Sequence, residues 1–199
     1  MRIYLVRHGE TVWNVEKRLQ GWKDSPLTDN GVRSAKRLAK RLQGIRLDRV
    51  FSSDQTRALI TAEIIAKPRG IPIEVLSSLR ELNFGSWEGM TISEIEALYP
   101  LEYSTYKTDP GRYTSVGGES IEQLFDRASK ALESIGSCGE ENVLVVTHGV
   151  TIRALMTIIS GQGMDGFAKI PVFLGTSLTE LELTDKGYRI IRAADADHL

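Results

Sequence analysis

The 199-residue sequence predicts an α/β fold with a mostly parallel sheet. Two observations carry this. The apolar runs Ile3–Val6 and Val143–Val146 are continuous rather than alternating, as strands covered on both faces are. Stretches with helical periodicity lie between the strand-like segments, and alternation of the two types favours parallel pairing. The composition, 41% hydrophobic and 26% charged, is that of an ordinary globular protein, and the length suits one domain over residues 1–199.

In chain order, the first strand, Ile3–Val6, stops abruptly at Arg7-His8-Gly9. Val32, Ala35, Leu38, Ala39 and Leu42 then share one face of a helix that Thr28 can cap. Arg49–Phe51 with its flanks gives a second strand, and Ala58, Ala62, Ile65 and Ala66 mark a second helix. Ile121, Leu124, Phe125, Ala128, Leu132 and Ile135 mark a third, opened by Ser120 and Gln123 as a capping box. Val143–Val146 is the next strand, followed by a helix through Ile152, Leu155, Met156 and Ile159. Leu178–Leu183 and Tyr188–Ile191, joined by Asp185-Lys186-Gly187, read as a hairpin at a sheet edge. Tyr99 to Gly118 fits neither period and is expected to be an irregular lid-like excursion, about residues 99–118.

Several function classes are disfavoured. A net charge of −1 suggests neither a nucleic-acid surface nor a membrane surface. The single cysteine, Cys138, rules out an internal disulfide framework and is read as incidental. No apolar run reaches the roughly 18 residues of a membrane span, and charge arrives at Arg7, too early for a secretory segment. A cytoplasmic location is the expectation. The three histidines show no metal-ligand spacing. Gly161-Gln162-Gly163-Met164-Asp165-Gly166 matches a dinucleotide fingerprint by letter, but it follows a helix and is expected to be a helix-ending loop.

Ligands of open α/β sheets sit at the carboxyl ends of the strands. Arg7-His8-Gly9 and Thr147-His148-Gly149 each follow a buried strand directly, so the histidines converge if those strands are neighbours. Arg57, in Ser52-Ser53-Asp54-Gln55-Thr56-Arg57, falls in the first turn of a helix, where the dipole favours anions rather than cations. Beside a bound phosphate that placement makes sense, because the guanidinium fork matches phosphate oxygens. Leu79 to Gly89 mixes acids, aromatics and glycines, as a pocket wall or an irregular loop would.

RHGETVWN, SSDQTRA, LRELNFGSWEG and VTHG, in this order, resemble the histidine phosphatase superfamily, its phosphoglycerate mutase-like branch 1. The resemblance implies a phosphoglycerate mutase-like three-layer α/β/α sandwich with a small lid, and a phosphohistidine intermediate. It implies that His8 is the nucleophile and Glu81 the general acid. Arg7, Arg57 and a protonated His148 would bind the transferred phosphoryl group, with Gly149 beside them. Asn14 and Gln20 would add phosphate contacts. Two arginines and an imidazolium would offset the phosphoryl charge without a metal or other cofactor. The implied ligand is a small-molecule phosphate monoester, and a homodimer is left open.

Three readings stand side by side: a phosphatase, a cofactor-dependent phosphoglycerate mutase, and a non-catalytic phospholigand-binding module. The mutases carry a longer insertion after the glutamate. Here Leu82-Asn83-Phe84, a short excursion and Val116-Gly117-Gly118-Glu119-Ser120 look more like the small phosphatases of the broad-specificity, α-ribazole and phosphoserine types. The terminal Ala196-Asp197-His198-Leu199 is either a frayed end or an arm that presents His198 to the distal part of a substrate.

Overall fold

A computed structural model describes residues 1–199. The strands are β1 (Arg2–Arg7), β2 (Arg49–Ser52), β3 (Ile73–Val75), β4 (Asn142–Thr147), β5 (Leu178–Thr184) and β6 (Gly187–Asp195). They form one sheet in the order β3-β2-β4-β1-β5-β6. β1, β2, β3 and β4 run parallel, while β5 and β6 pair antiparallel as the expected edge hairpin.

Successive strand residues point to opposite faces, so each continuous apolar run feeds two cores. Ile3, Leu5, Phe51, Val143 and Val145 pack with α6 (Ile121–Gly136) and α7 (Gly149–Ser160). Tyr4, Val6, Val50, Leu144 and Val146 pack on the other face with α2 (Asp29–Arg41) and α3 (Thr56–Ala66). This is the three-layer α/β/α arrangement. The predicted caps form: Thr28 accepts from Gly31 N–H at 3.0 Å, and Ser120 and Gln123 close a reciprocal capping box.

The excursion differs from expectation. Residues 99–118 are not irregular throughout, because α5 (Pro100–Thr108) occupies the first half, following α4 (Ile92–Leu98). Proline at its first position suits a helix start. The inward face of α5 is aromatic rather than aliphatic: Tyr103 and Tyr106 meet Trp87 edge-on at 6.0 and 6.2 Å between centroids. Tyr113 joins the same cluster. Tertiary packing fixes this helix where periodicity was weak. Gly161 ends α7 in the left-handed conformation, as a helix-ending glycine should, but a short helix α8 (Gly163–Phe167) follows at once. No helix is long and apolar enough to cross a membrane.

Candidate active site

β1 and β4 are parallel neighbours with Arg7 opposite Thr147, so His8 and His148 leave the sheet side by side. The His8 N–H donates to the Thr147 carbonyl at 2.9 Å, and the two ring centroids lie 5.2 Å apart. The glycine after each histidine has a steric reason. A Cβ on Gly9 would come within 2.8 Å of the Gly31 carbonyl oxygen. A Cβ on Gly149 would lie 3.2 Å from Val172 and 3.4 Å from the Arg7 guanidinium.

A cavity of about 500 Å³ opens at these strand ends. Arg7, His8, Asn14, Gln20, Arg57, Glu81 and Gly149 all line it, so the structure gathers these sequence-predicted residues in one place. His148 lies fully buried against His8.

His8 is 2% exposed, and its Nδ1 lies 2.7 Å from the Gly9 carbonyl oxygen. A carbonyl only accepts, so Nδ1 carries the proton and donates it, leaving the lone pair on Nε2. Burial first, then Arg57 and Arg7, hold His8 well below the ordinary histidine range. The ring is therefore a neutral imidazole with an available nitrogen.

His148 shares this setting. Burial, Arg57 and His8, with smaller effects from Arg127 and Arg7, push it well below the ordinary range too. In the free site it is therefore neutral, through burial first and the two guanidinium groups second; the expected imidazolium belongs to the phosphate-bound site. Neither ring nitrogen has a partner within the chain. A bound phosphate dianion would reverse the local charge and favour proton uptake.

Arg57 is 1% exposed and spends most of its donors on the fold. It holds the carbonyls of Lys23 (2.9 Å) and Gly21 (2.8 Å) and the Asp24 carboxylate (2.9 Å), leaving Nε without a partner. It is thus a clamp on the 21–24 loop as well as a cation at the cavity. Arg7 donates to the Phe173 carbonyl and likewise leaves a buried Nε free. Asn14 uses its Oδ1 to cap α1 (Val12–Val15), accepting from Thr11 N–H at 3.1 Å. Gln20 donates to Thr11 Oγ1 at 2.8 Å, while its buried Oε1 has no partner. An oxygen is no ligand for phosphate, so in this rotamer Gln20 suits a hydroxyl or a water better than the anion contact expected of it.

Glu81 sits at the N-terminus of α7. Its Oε1 accepts from the backbone N–H groups of Leu82 (2.9 Å), Val150 (3.2 Å) and Thr151 (3.2 Å). Its Oε2 has only the Val150 N–H at 3.2 Å, which leaves this oxygen the freer of the two. Three side chains that sequence reasoning passed over hold the Glu81 backbone. Gln55 Oε1 accepts its N–H at 2.8 Å, and Trp22 Nε1 and Arg127 Nη2 donate to its carbonyl at 2.9 and 3.0 Å. Arg127 also bonds the carbonyls of Ser78 and Arg80 and pairs with Glu119. An arginine on an otherwise amphipathic helix gave no sequence signal of this.

The C-terminal tail does not reach the cavity. Asp195 pairs with Arg41 of α2 and with Arg192, and His198 Nδ1 lies 3.4 Å from Arg41. These ties hold the tail against the C-terminal end of α2, with His198 Nε2 3.4 Å from Thr176 Oγ1, and neither His198 nor Leu199 lines the pocket. Deleting Asp197–Leu199 is expected to leave KM for phosphorylated substrates within about two-fold. A KM increase confined to one substrate would return the tail to a role in specificity.

Both imidazoles titrate lower in the fold than in the unfolded chain. Below about pH 6.5 the unfolded chain therefore binds more protons, and these two groups cost stability as pH falls through that window. Thermal unfolding of His148→Gln should lose less stability between pH 7 and pH 5 than the wild type does. An identical slope would show that His148 is not depressed.

The model of the family described as histidine phosphatase superfamily (branch 1) matches residues 3–196. Phosphoglycerate mutase-like protein 4 of Arabidopsis thaliana is 38% identical over 99% of this chain and 86% of its own length. Among solved structures, Bacillus stearothermophilus YhfR is 39% identical with a TM-score of 0.94, covering 99% of this chain and 98% of its own. The mycobacterial glucosyl-3-phosphoglycerate phosphatase, solved with VO3, is 28% identical with a TM-score of 0.89, covering 98% of each chain.

Proposed function

Since the chain belongs to branch 1 of the histidine phosphatase superfamily, we propose that it hydrolyses small phosphate monoesters through a phosphohistidine on His8, without a metal. The observation that carries this reading is the neutral His8 with its Nε2 lone pair, in one cavity with Arg7 and Arg57 and beside His148. The names of its relatives include both mutase-like proteins and phosphatases.

The chemistry follows from the donors. His8 Nε2 attacks phosphorus, and the bond to the leaving oxygen breaks as the N–P bond forms. Arg7 and Arg57 face the charge that spreads over the phosphoryl oxygens, and His148 donates a ring N–H to it. The leaving alkoxide takes its proton from Glu81, whose freer Oε2 suits proton transfer. The Glu81 carboxylate then takes a proton from water. That water attacks the phosphohistidine, phosphate departs, and His8 is restored.

The alternative acceptor is a second hydroxyl of the substrate, as in a mutase. Release of inorganic phosphate from a panel of phosphorylated metabolites, with EDTA present, tests the proposal. Phosphate release identifies water as the acceptor, and isomerised ester without release identifies a mutase. Binding without either product identifies a phospholigand-binding module.

A further inference from the structure

The tautomer of His8 depends on where the Gly9 carbonyl points. Nδ1 keeps its proton because that carbonyl accepts it at 2.7 Å, and only then does Nε2 offer a lone pair. A histidine without such a partner distributes its proton between the two nitrogens. Glycine holds no direction by itself, because without a Cβ its backbone turns more freely than that of any other residue. A group outside Gly9 has to keep the carbonyl in place.

Thr61 is placed to do this. It lies in α3, one turn after Arg57, and is fully buried. Its Oγ1 accepts from the Gly9 N–H at 3.0 Å and donates to the Arg57 carbonyl at 2.7 Å. The second bond alone would be ordinary, since helical threonines commonly bond the carbonyl four residues back. The first crosses 52 residues of sequence and ends on the residue beside the nucleophile. At the other polar atom of the same peptide unit, the His8 carbonyl accepts from the Thr176 N–H at 3.3 Å. The His8–Gly9 peptide is thus held at both ends. Thr61 does not line the cavity, so it acts on His8 only through Gly9.

We infer that Thr61 is a positioning residue for the nucleophile: its hydroxyl pins the Gly9 N–H to the helix that carries Arg57, and so keeps the Gly9 carbonyl on His8 Nδ1 and the lone pair on Nε2. This rests on the phosphohistidine reading and adds to it the group that sets the reactive tautomer. It also ties the nucleophile to the phosphate clamp, because one turn of α3 carries both Arg57 and Thr61.

Thr61→Val keeps the size and branching of the side chain and removes the hydroxyl. The ¹⁵N resonances of the His8 ring, assigned by their loss in His8→Ala, report which nitrogen is protonated at neutral pH, where the ring is uncharged. The wild type should show a protonated Nδ1 and a bare Nε2, and Thr61→Val a mixture of the two tautomers. Phenyl phosphate is the kinetic probe, because its leaving group needs little help from Glu81. Its kcat should fall about ten-fold in Thr61→Val through lost alignment of the nucleophile. The inhibition constant of inorganic phosphate should stay within about two-fold, since Arg7 and Arg57 keep their donors. Thr61→Ser keeps the hydroxyl and should recover the wild-type tautomer and most of kcat. If Thr61→Val does not fold, Thr61→Cys takes its place, its thiol being a weak acceptor.

The wild-type tautomer in Thr61→Val, whether or not kcat falls, overturns the positioning role. A changed tautomer with undiminished kcat overturns it too, as does a wild-type His8 protonated on Nε2. No phosphate release from the wild type, with the tautomers as expected in both proteins, overturns the phosphatase reading and leaves the control of His8 by Thr61 standing.

Discussion

His8→Ala is expected to lower kcat by about four orders of magnitude or more on every substrate, with little change in the fold. In the proposed step its Nε2 is the atom that attacks phosphorus, and Arg7 and Arg57 lie in the same cavity. His148 sits 5.2 Å away between ring centroids, but it follows a different strand. Alanine removes a buried group without adding bulk. The local cost is one unpaired carbonyl, at Gly9, of about 1–3 kcal/mol. The wild type, quenched during turnover, should yield a phosphoenzyme that is labile in acid. Undiminished activity in His8→Ala, or wild-type activity abolished by EDTA, would overturn the phosphohistidine mechanism.

Glu81→Gln is expected to slow alkyl phosphates by about 10²- to 10⁴-fold and aryl phosphates much less. Alkoxides need a proton as they depart, whereas phenolates largely do not. Glutamine keeps the size of the side chain but cannot deliver the proton. Its amide also meets the N–H groups of Val150 and Thr151 less well than a carboxylate, so some local loosening is expected. Vanadate affinity separates the two effects, because it reads the phosphate end without a leaving group. Equal losses on both ester classes, with weakened vanadate binding, would assign Glu81 a structural role.

Much of the framework was legible in the sequence. β1 and β4 announced themselves as continuous apolar runs because both of their faces are buried. Thr28, Ser120 and Gln123 marked helix starts because capping is local chemistry, decided within four residues. The hairpin at Asp185-Lys186-Gly187 followed for the same reason. The paired His-Gly motifs placed the site at the strand ends, and the parallel register of β1 and β4 made the two histidines neighbours.

What the sequence could not supply depended on partners far along the chain. α5 is held by Trp87 through aromatic contacts that leave no aliphatic period to read. Arg57 was recognisable as a cation at a helix start, yet its duty to Gly21, Lys23 and Asp24 exists only once that loop is folded over it. The neutral state of His148 is set by burial and by charges from other strands and helices, which a list of residue types does not contain. Arg127 reaches the Glu81 loop across 46 residues of sequence. The tail's route is set by the pairing of Asp195 with Arg41, 154 residues apart. Local patterns determine which faces are buried and where helices begin. Protonation, clamping and the course of the tail depend on distances between side chains that only the packed layers bring together.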